Sequence, residues 1–131
     1  MKKLGLLLLV MLAAGSFLFA QGAQEAPAEN EAFKVAFVYI GPPGDLGWTY
    51  MHDQGRIYME EKLGDKVETT FIESVEEGPD SARIMGQYAM QGYDMIFATS
   101  FGYMDYMLET SMDNADTFFE HCSGFKTTDN M

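Results

Sequence analysis

Short apolar runs, separated by segments long enough for a helix, constrain this chain more than any other feature. The runs are FKVAFVYI (33–40), KVETTFIES (66–74), YDMIFATS (93–100) and TFFEHC (117–122). Each is rich in Val, Ile, Phe or Thr, as strands are. The first and third are apolar almost throughout, which suits strands covered on both faces. The second alternates Val67, Thr69 and Phe71 against Glu68, Thr70 and Ile72, which suits a strand near a sheet edge. Between them, TYMHDQGRIYMEEKL (49–63) predicts a helix closed by Gly64, with Met51, Ile57 and Tyr58 as its buried stripe. EEGPDSARIMGQYAMQG (76–92) predicts a second helix, started at Pro79 and ended at Gly92, that buries Ala82, Met85, Tyr88 and Ala89. Residues 101–115 read as a loop leading into a third helix. Crossovers of this length make the strands parallel and the connections right-handed. The expected fold class is α/β, a doubly wound parallel sheet. Ligands of such sheets sit beyond the carboxyl ends of strands, where the strand order reverses. Two loops are therefore of interest, 41–49 after the first strand and 99–104 after the third.

The first of these loops is GPPGDLGW, with the only tryptophan of the chain. Its glycines are spaced G-x-x-G-x-x-G. It lacks both the Lys-Ser/Thr of a phosphate-binding loop and the G-x-G-x-x-G of a dinucleotide fold. Asp45 would repel a phosphate brought to the same helix N-terminus. A neutral, planar, polar ligand fits the residue types better. Trp48 offers a face for stacking, Asp45 offers acceptors for ring N–H or hydroxyl groups, and glycines such as Gly47 let backbone N–H groups come close. The same residues also fit a purely structural turn, with Trp48 in the core and Asp45 capping the helix. In the second loop, Ser100 and Phe101 supply a hydroxyl and a second aromatic wall, or else form a plain turn with Phe101 packed inward.

The remaining chemistry is sparse. Cys122 is the only cysteine, so an internal disulfide is impossible and no zinc spacing exists. Side by side on a strand, His121 and Cys122 point to opposite faces and do not form a catalytic pair. No G-x-S-x-G or H-E-x-x-H occurs, so neither catalytic nor metal residues are assigned. The formal net charge of −12 argues against nucleic acid and anionic membrane surfaces as partners. At the N-terminus, Lys2 and Lys3 precede an apolar run and then small residues, the layout of an export signal over residues 1–23. Residues 24–32, rich in Ala and Glu, read as a flexible linker. An exported product has no access to cytoplasmic nucleotide pools, so no cofactor is expected.

Together, KVAFVYIGPPGDLGWTYMHDQGR, IESVEEGPD, QGYDMIFATSFGYMD and FFEHCSGFKT resemble the basic membrane protein family of ABC-transporter substrate-binding proteins. The resemblance covers nearly all of residues 33–128. It includes the G-D-x-G-W pattern at Gly44, Asp45, Gly47 and Trp48. It implies a type I periplasmic-binding-protein fold, of which residues 33–131 would be part of the N-terminal lobe, with the second lobe missing. It also implies an extracytoplasmic receptor for purine nucleosides or nucleobases that serves a membrane permease and its ATPase. Trp48 would then be a stacking wall, with Asp45, Gly47, Ser100 and Phe101 as neighbours. A ligand-sensing module coupled to a signalling partner, or a non-functional gene fragment, are the alternatives.

Overall fold

The computed structural model describes residues 31–131. The export signal expected over 1–23, and the linker apart from Glu31 and Ala32, lie outside the described residues. Strand β1 (Phe33–Val38) leads through a 3-10 turn at Pro43–Asp45 into α1 (Trp48–Leu63). Then follow β2 (Val67–Ile72), α2 (Pro79–Met90), β3 (Met95–Ala98), a 3-10 turn at Phe101–Tyr103, α3 (Met104–Asp113) and β4 (Phe118–His121). The sheet order is β2-β1-β3-β4, with every neighbouring pair parallel. The order therefore reverses between β1 and β3, and β2 is an edge strand, as the alternation in 66–74 predicts. Val38 stands in register with both Ile72 and Ala98, so the carboxyl ends of three strands finish level. Among the described residues, no helix is long and apolar enough to cross a membrane.

Alternation along the strands builds two apolar layers. Ala36, Val38, Ile96, Ala98 and Phe119 pack with Ile84 and Met85 of α2 and with Tyr103 and Met107 on the α3 side. Val35, Phe37 and Tyr39 form the layer on the opposite face, with Met59, Val67, Met95 and Phe97 against it. Each fully buried side chain of this size, such as Met85, Ile96 or Phe119, stabilises the fold by about 1.5–3 kcal/mol. Gly64 at φ +53° and Gly92 at φ +77° end α1 and α2 in a backbone region that other residues resist. Pro79 occupies the first turn of α2, and the Ser81 hydroxyl donates to the Gly78 carbonyl at 2.7 Å.

The helix faces differ from the periodicity reading. In α2 the buried line includes Ser81, Ile84 and Met85, while Ala82, Tyr88 and Ala89 are half-buried. In α1 the difference is larger. Met51 and Tyr58 are 65% and 60% exposed and Ile57 is half-buried, while Thr49 and Asp53 are buried. The packed side of α1 runs through Thr49, Asp53, Arg56 and Glu60, and beside Met59 it is polar. Arg56 Nε donates to Asp53 Oδ1 at 2.8 Å, and its Nη1 donates to Glu60 Oε1 at 3.0 Å and to Thr69 Oγ1 at 3.1 Å. Thr69 donates in turn to Glu60, and the Tyr39 hydroxyl donates to Asp53 Oδ1 at 3.3 Å. The guanidinium lies 5.0 Å from the centre of the Phe71 ring. Burial here depends on pairing across β1, β2 and α1, so an apolar-periodicity rule does not register it.

Two tyrosines close the layers and give a pH dependence. Burial, reinforced by Asp53, pushes the Tyr39 phenol well above its ordinary 10, and burial does the same to Tyr103. Tyr103 donates its hydroxyl to the Val75 carbonyl. Both phenols favour the neutral form in the fold, so their contribution is fully present below pH 10 and is lost as pH rises beyond it. In an alkaline titration, phenolate absorbance from these two residues is expected to appear only together with loss of the circular dichroism signal. Tyr39→Phe and Tyr103→Phe should each remove part of that coupled step.

Candidate functional site

Three loops meet at the carboxyl edge of the sheet, and the turn after β1 is organised by Asp45. Its Oδ1 accepts from the Gly47 amide at 2.7 Å and the Tyr50 amide at 3.1 Å, and its Oδ2 accepts from the Thr49 amide at 3.2 Å. These are backbone donors at the start of α1, which a helix must satisfy from outside itself. The amide bonds, Gly47 first, hold the Asp45 carboxyl below the usual carboxylate range. An anion approaching this helix end would find three of these amides taken and the Asp45 charge beside them. Gly41 lies close under the turn, since a Cβ there would stand 3.4 Å from Thr49 Oγ1. Leu46, between the two motif glycines, takes a left-handed φ of 54°.

Trp48 opens α1 and spans the point where strand order reverses. Its indole Nε1 donates to the Thr99 carbonyl at 2.6 Å, tying the loop after β1 to the loop after β3. The ring stands edge-on to His52, with centroids 4.7 Å apart. It remains 48% exposed, so it is not a core residue. Beside it, Phe37, Phe97, His52, Thr99 and His121 border an open depression of about 210 Å³. Burial lowers the pKa of both His52 and His121, so both are neutral near pH 7.

The loop after β2 supplies the third part. Val75 donates its amide to the Tyr39 carbonyl at 3.0 Å. Glu77 Oε1 accepts from the Ser100 hydroxyl and, at 3.0 Å, from the Gly102 amide. A Cβ at residue 102 would overlap the Glu77 carboxylate, so glycine leaves the room in which that group sits. The Ser100 bond, and then the Gly102 bond, lower the pKa of Glu77 and keep it charged. Phe101 is 56% exposed, with its ring 6.4 Å from that of Phe125, so it does not pack inward.

The structure thus brings Asp45, Gly47, Trp48, Ser100 and Phe101 to one edge of the sheet. Asp45, Gly47 and Trp48 form one turn. Trp48 is linked to Thr99, the neighbour of Ser100 and Phe101 in the chain. Glu77, Thr99 and the two histidines escape the motif reading. A positional rule finds Glu77: every loop at the carboxyl edge of a parallel sheet faces the same space, and 73–78 is such a loop.

Residues 32–131 match the model of a family described as ABC transporter substrate-binding protein, PnrA-like. The chain belongs to this family. The PnrA-like family comprises substrate-binding proteins rather than enzymes, and such proteins work outside the cytoplasm, binding small molecules and interacting with a permease and ATPase. A purine-binding protein of Brucella abortus is 55% identical over 102 residues, covering 78% of this chain and 29% of that protein. A Haloferax volcanii protein, named as an ABC transporter glucose-binding protein, is 45% identical over 105 residues, covering 80% and 26%. Among solved structures, a solute-binding protein of Aeropyrum pernix matches with a TM-score of 0.66 at 19% identity over 75% of this chain and 27% of its own. One from Conexibacter woesei matches with 0.61 at 17% identity over 67% and 28%. These likenesses bear on the fold, which is that of part of a periplasmic-binding-protein lobe. The chain spans less than a third of the length of each of these relatives.

Proposed function

We propose that this PnrA-like chain contributes one wall of the cleft of an extracytoplasmic receptor that captures a purine nucleoside or nucleobase and delivers it to an ABC permease. The observation that carries the reading is the Trp48 ring, half-exposed at the strand-order reversal and held by its Nε1 bond to Thr99. A ring fixed in this way has lost its freedom before a base stacks on it, and this raises affinity. In this reading Asp45 and Gly47 set the turn that aims Trp48, while Ser100 and Phe101 form the opposite side. The purine assignment is supported by the Brucella relative. Residues 1–23 act as the export signal, 24–32 as a linker and 33–131 as part of the ligand-binding lobe, without enzymatic activity.

Trp48→Ala in the full-length protein is expected to weaken adenosine or adenine binding by about 1–3 kcal/mol, the range for a base stacked on an aromatic side chain. Titration calorimetry measures it, and an unchanged affinity removes Trp48 from the site. The Haloferax relative favours a second reading, a hexose on the same ring. Titration with D-glucose separates the two.

A further inference from the structure

We propose that Glu77 sets the hydrogen-bonding polarity of this site: by accepting the Ser100 hydroxyl hydrogen bond it makes the pair an acceptor-only surface, which selects a neutral, donor-bearing ligand over its phosphorylated form. The proposal rests on the reading of this sheet edge as the ligand cleft, and it identifies a residue and a chemical class that the reading leaves open.

A serine hydroxyl has one proton and two lone pairs. In this protein the proton is committed to Glu77 Oε1, so toward a ligand Ser100 can only accept. The Gly102 amide bonds to the same oxygen, which holds the carboxylate over the loop after β3 and leaves Oε2 as a further acceptor. Glycine at 102 is what makes room for this arrangement. The surroundings carry the same sign. The loops 39–47, 73–78 and 99–103 contain Asp45, Glu73, Glu76 and Glu77 and no Lys or Arg, and Lys126 in the loop after β4 is paired with Asp105. The amides of Gly47, Thr49 and Tyr50, at the start of α1, are bonded to Asp45. A phosphorylated ligand would meet the charged carboxylates of Asp45 and Glu77. A ribose hydroxyl, ring N–H or exocyclic amine would find lone pairs. Glu77 is thus a positioning residue through Ser100 and a source of discrimination through its charge.

The experiment is titration calorimetry on the full-length protein with adenosine and adenosine 5′-monophosphate, and with D-glucose and D-glucose 6-phosphate. The wild type is expected to bind the neutral member of one pair about a hundredfold more tightly than the phosphorylated member. Glu77→Gln keeps the shape and removes the charge, and it should narrow that ratio about tenfold with little change in thermal midpoint. Ser100→Ala should weaken the neutral ligand while leaving the ratio wide, because the Glu77 charge remains. A Glu77→Gln variant that weakens both members equally, or neither, overturns the proposal and leaves the purine reading intact. Binding of glucose in place of adenosine overturns the purine reading, and the sugar pair then decides the role of Glu77. Binding of none of the four overturns both.

Discussion

Asp53→Ala is expected to destabilise the fold by about 3 kcal/mol or more, because it leaves the Arg56 guanidinium in a nearly buried position without its closest carboxylate. The side chains of Arg56 and Asp53 are only 13% and 11% exposed, so solvent cannot replace the lost partner at little cost. The Tyr39 hydroxyl loses its acceptor in the same step. Urea unfolding should show a lower midpoint with an unchanged slope. The companion is the double variant Asp53→Ala/Arg56→Met. An ion pair replaced as a unit by apolar groups of similar volume often has little net effect, so the double variant should recover most of the loss. A double variant as unstable as the sum of the singles would mean that packing, not charge pairing, dominates this face.

Phe119→Ala should cost about 3–5 kcal/mol by a different mechanism, the cavity left where a large ring was fully enclosed. Phe119 is 1% exposed and pairs in register with Ile96 at the centre of the layer under α2 and α3. Its amide also donates to the Asn130 carbonyl at 2.8 Å. The Asn130 side chain reaches the carbonyls of Ser111, Asn114 and Thr117, so the segment closing the α3–β4 turn rests against this strand. Loss of the ring should therefore speed amide exchange in residues 111–117 as well as lower the unfolding midpoint. Normal exchange there, with full loss of stability, would separate the cavity from the turn.

The two expectations differ in how readable they are before folding. Phe119 sits in a run of Phe and Thr whose strand character and burial follow from residue type. So do the placement of β1 and β3 and the helix ends at Gly64 and Gly92. Asp53 and Arg56 are legible only as charged residues on a helix, because their burial is decided by Tyr39, fourteen residues earlier, and Thr69, thirteen residues later. That is why Met51 and Tyr58, apolar at helical spacing, lie on the open side of α1. The site divides in the same way. The Asp45–Gly47–Trp48 turn is local and carries its meaning in adjacent residues. The Glu77 bonds to Ser100 and Gly102 span 23 and 25 residues and exist only once three strands end level.

The position of Trp48 makes the protein its own optical probe. Because residues 1–131 hold a single tryptophan, all indole emission from this part of the receptor arises from one ring. That ring is half in water, hydrogen-bonded to a backbone carbonyl and edge-on to an imidazole. Anything that settles over its open face excludes water from the excited dipole and moves the emission to the blue. Occupancy of the cleft can thus be followed on purified, unlabelled protein, at concentrations far below those that calorimetry needs.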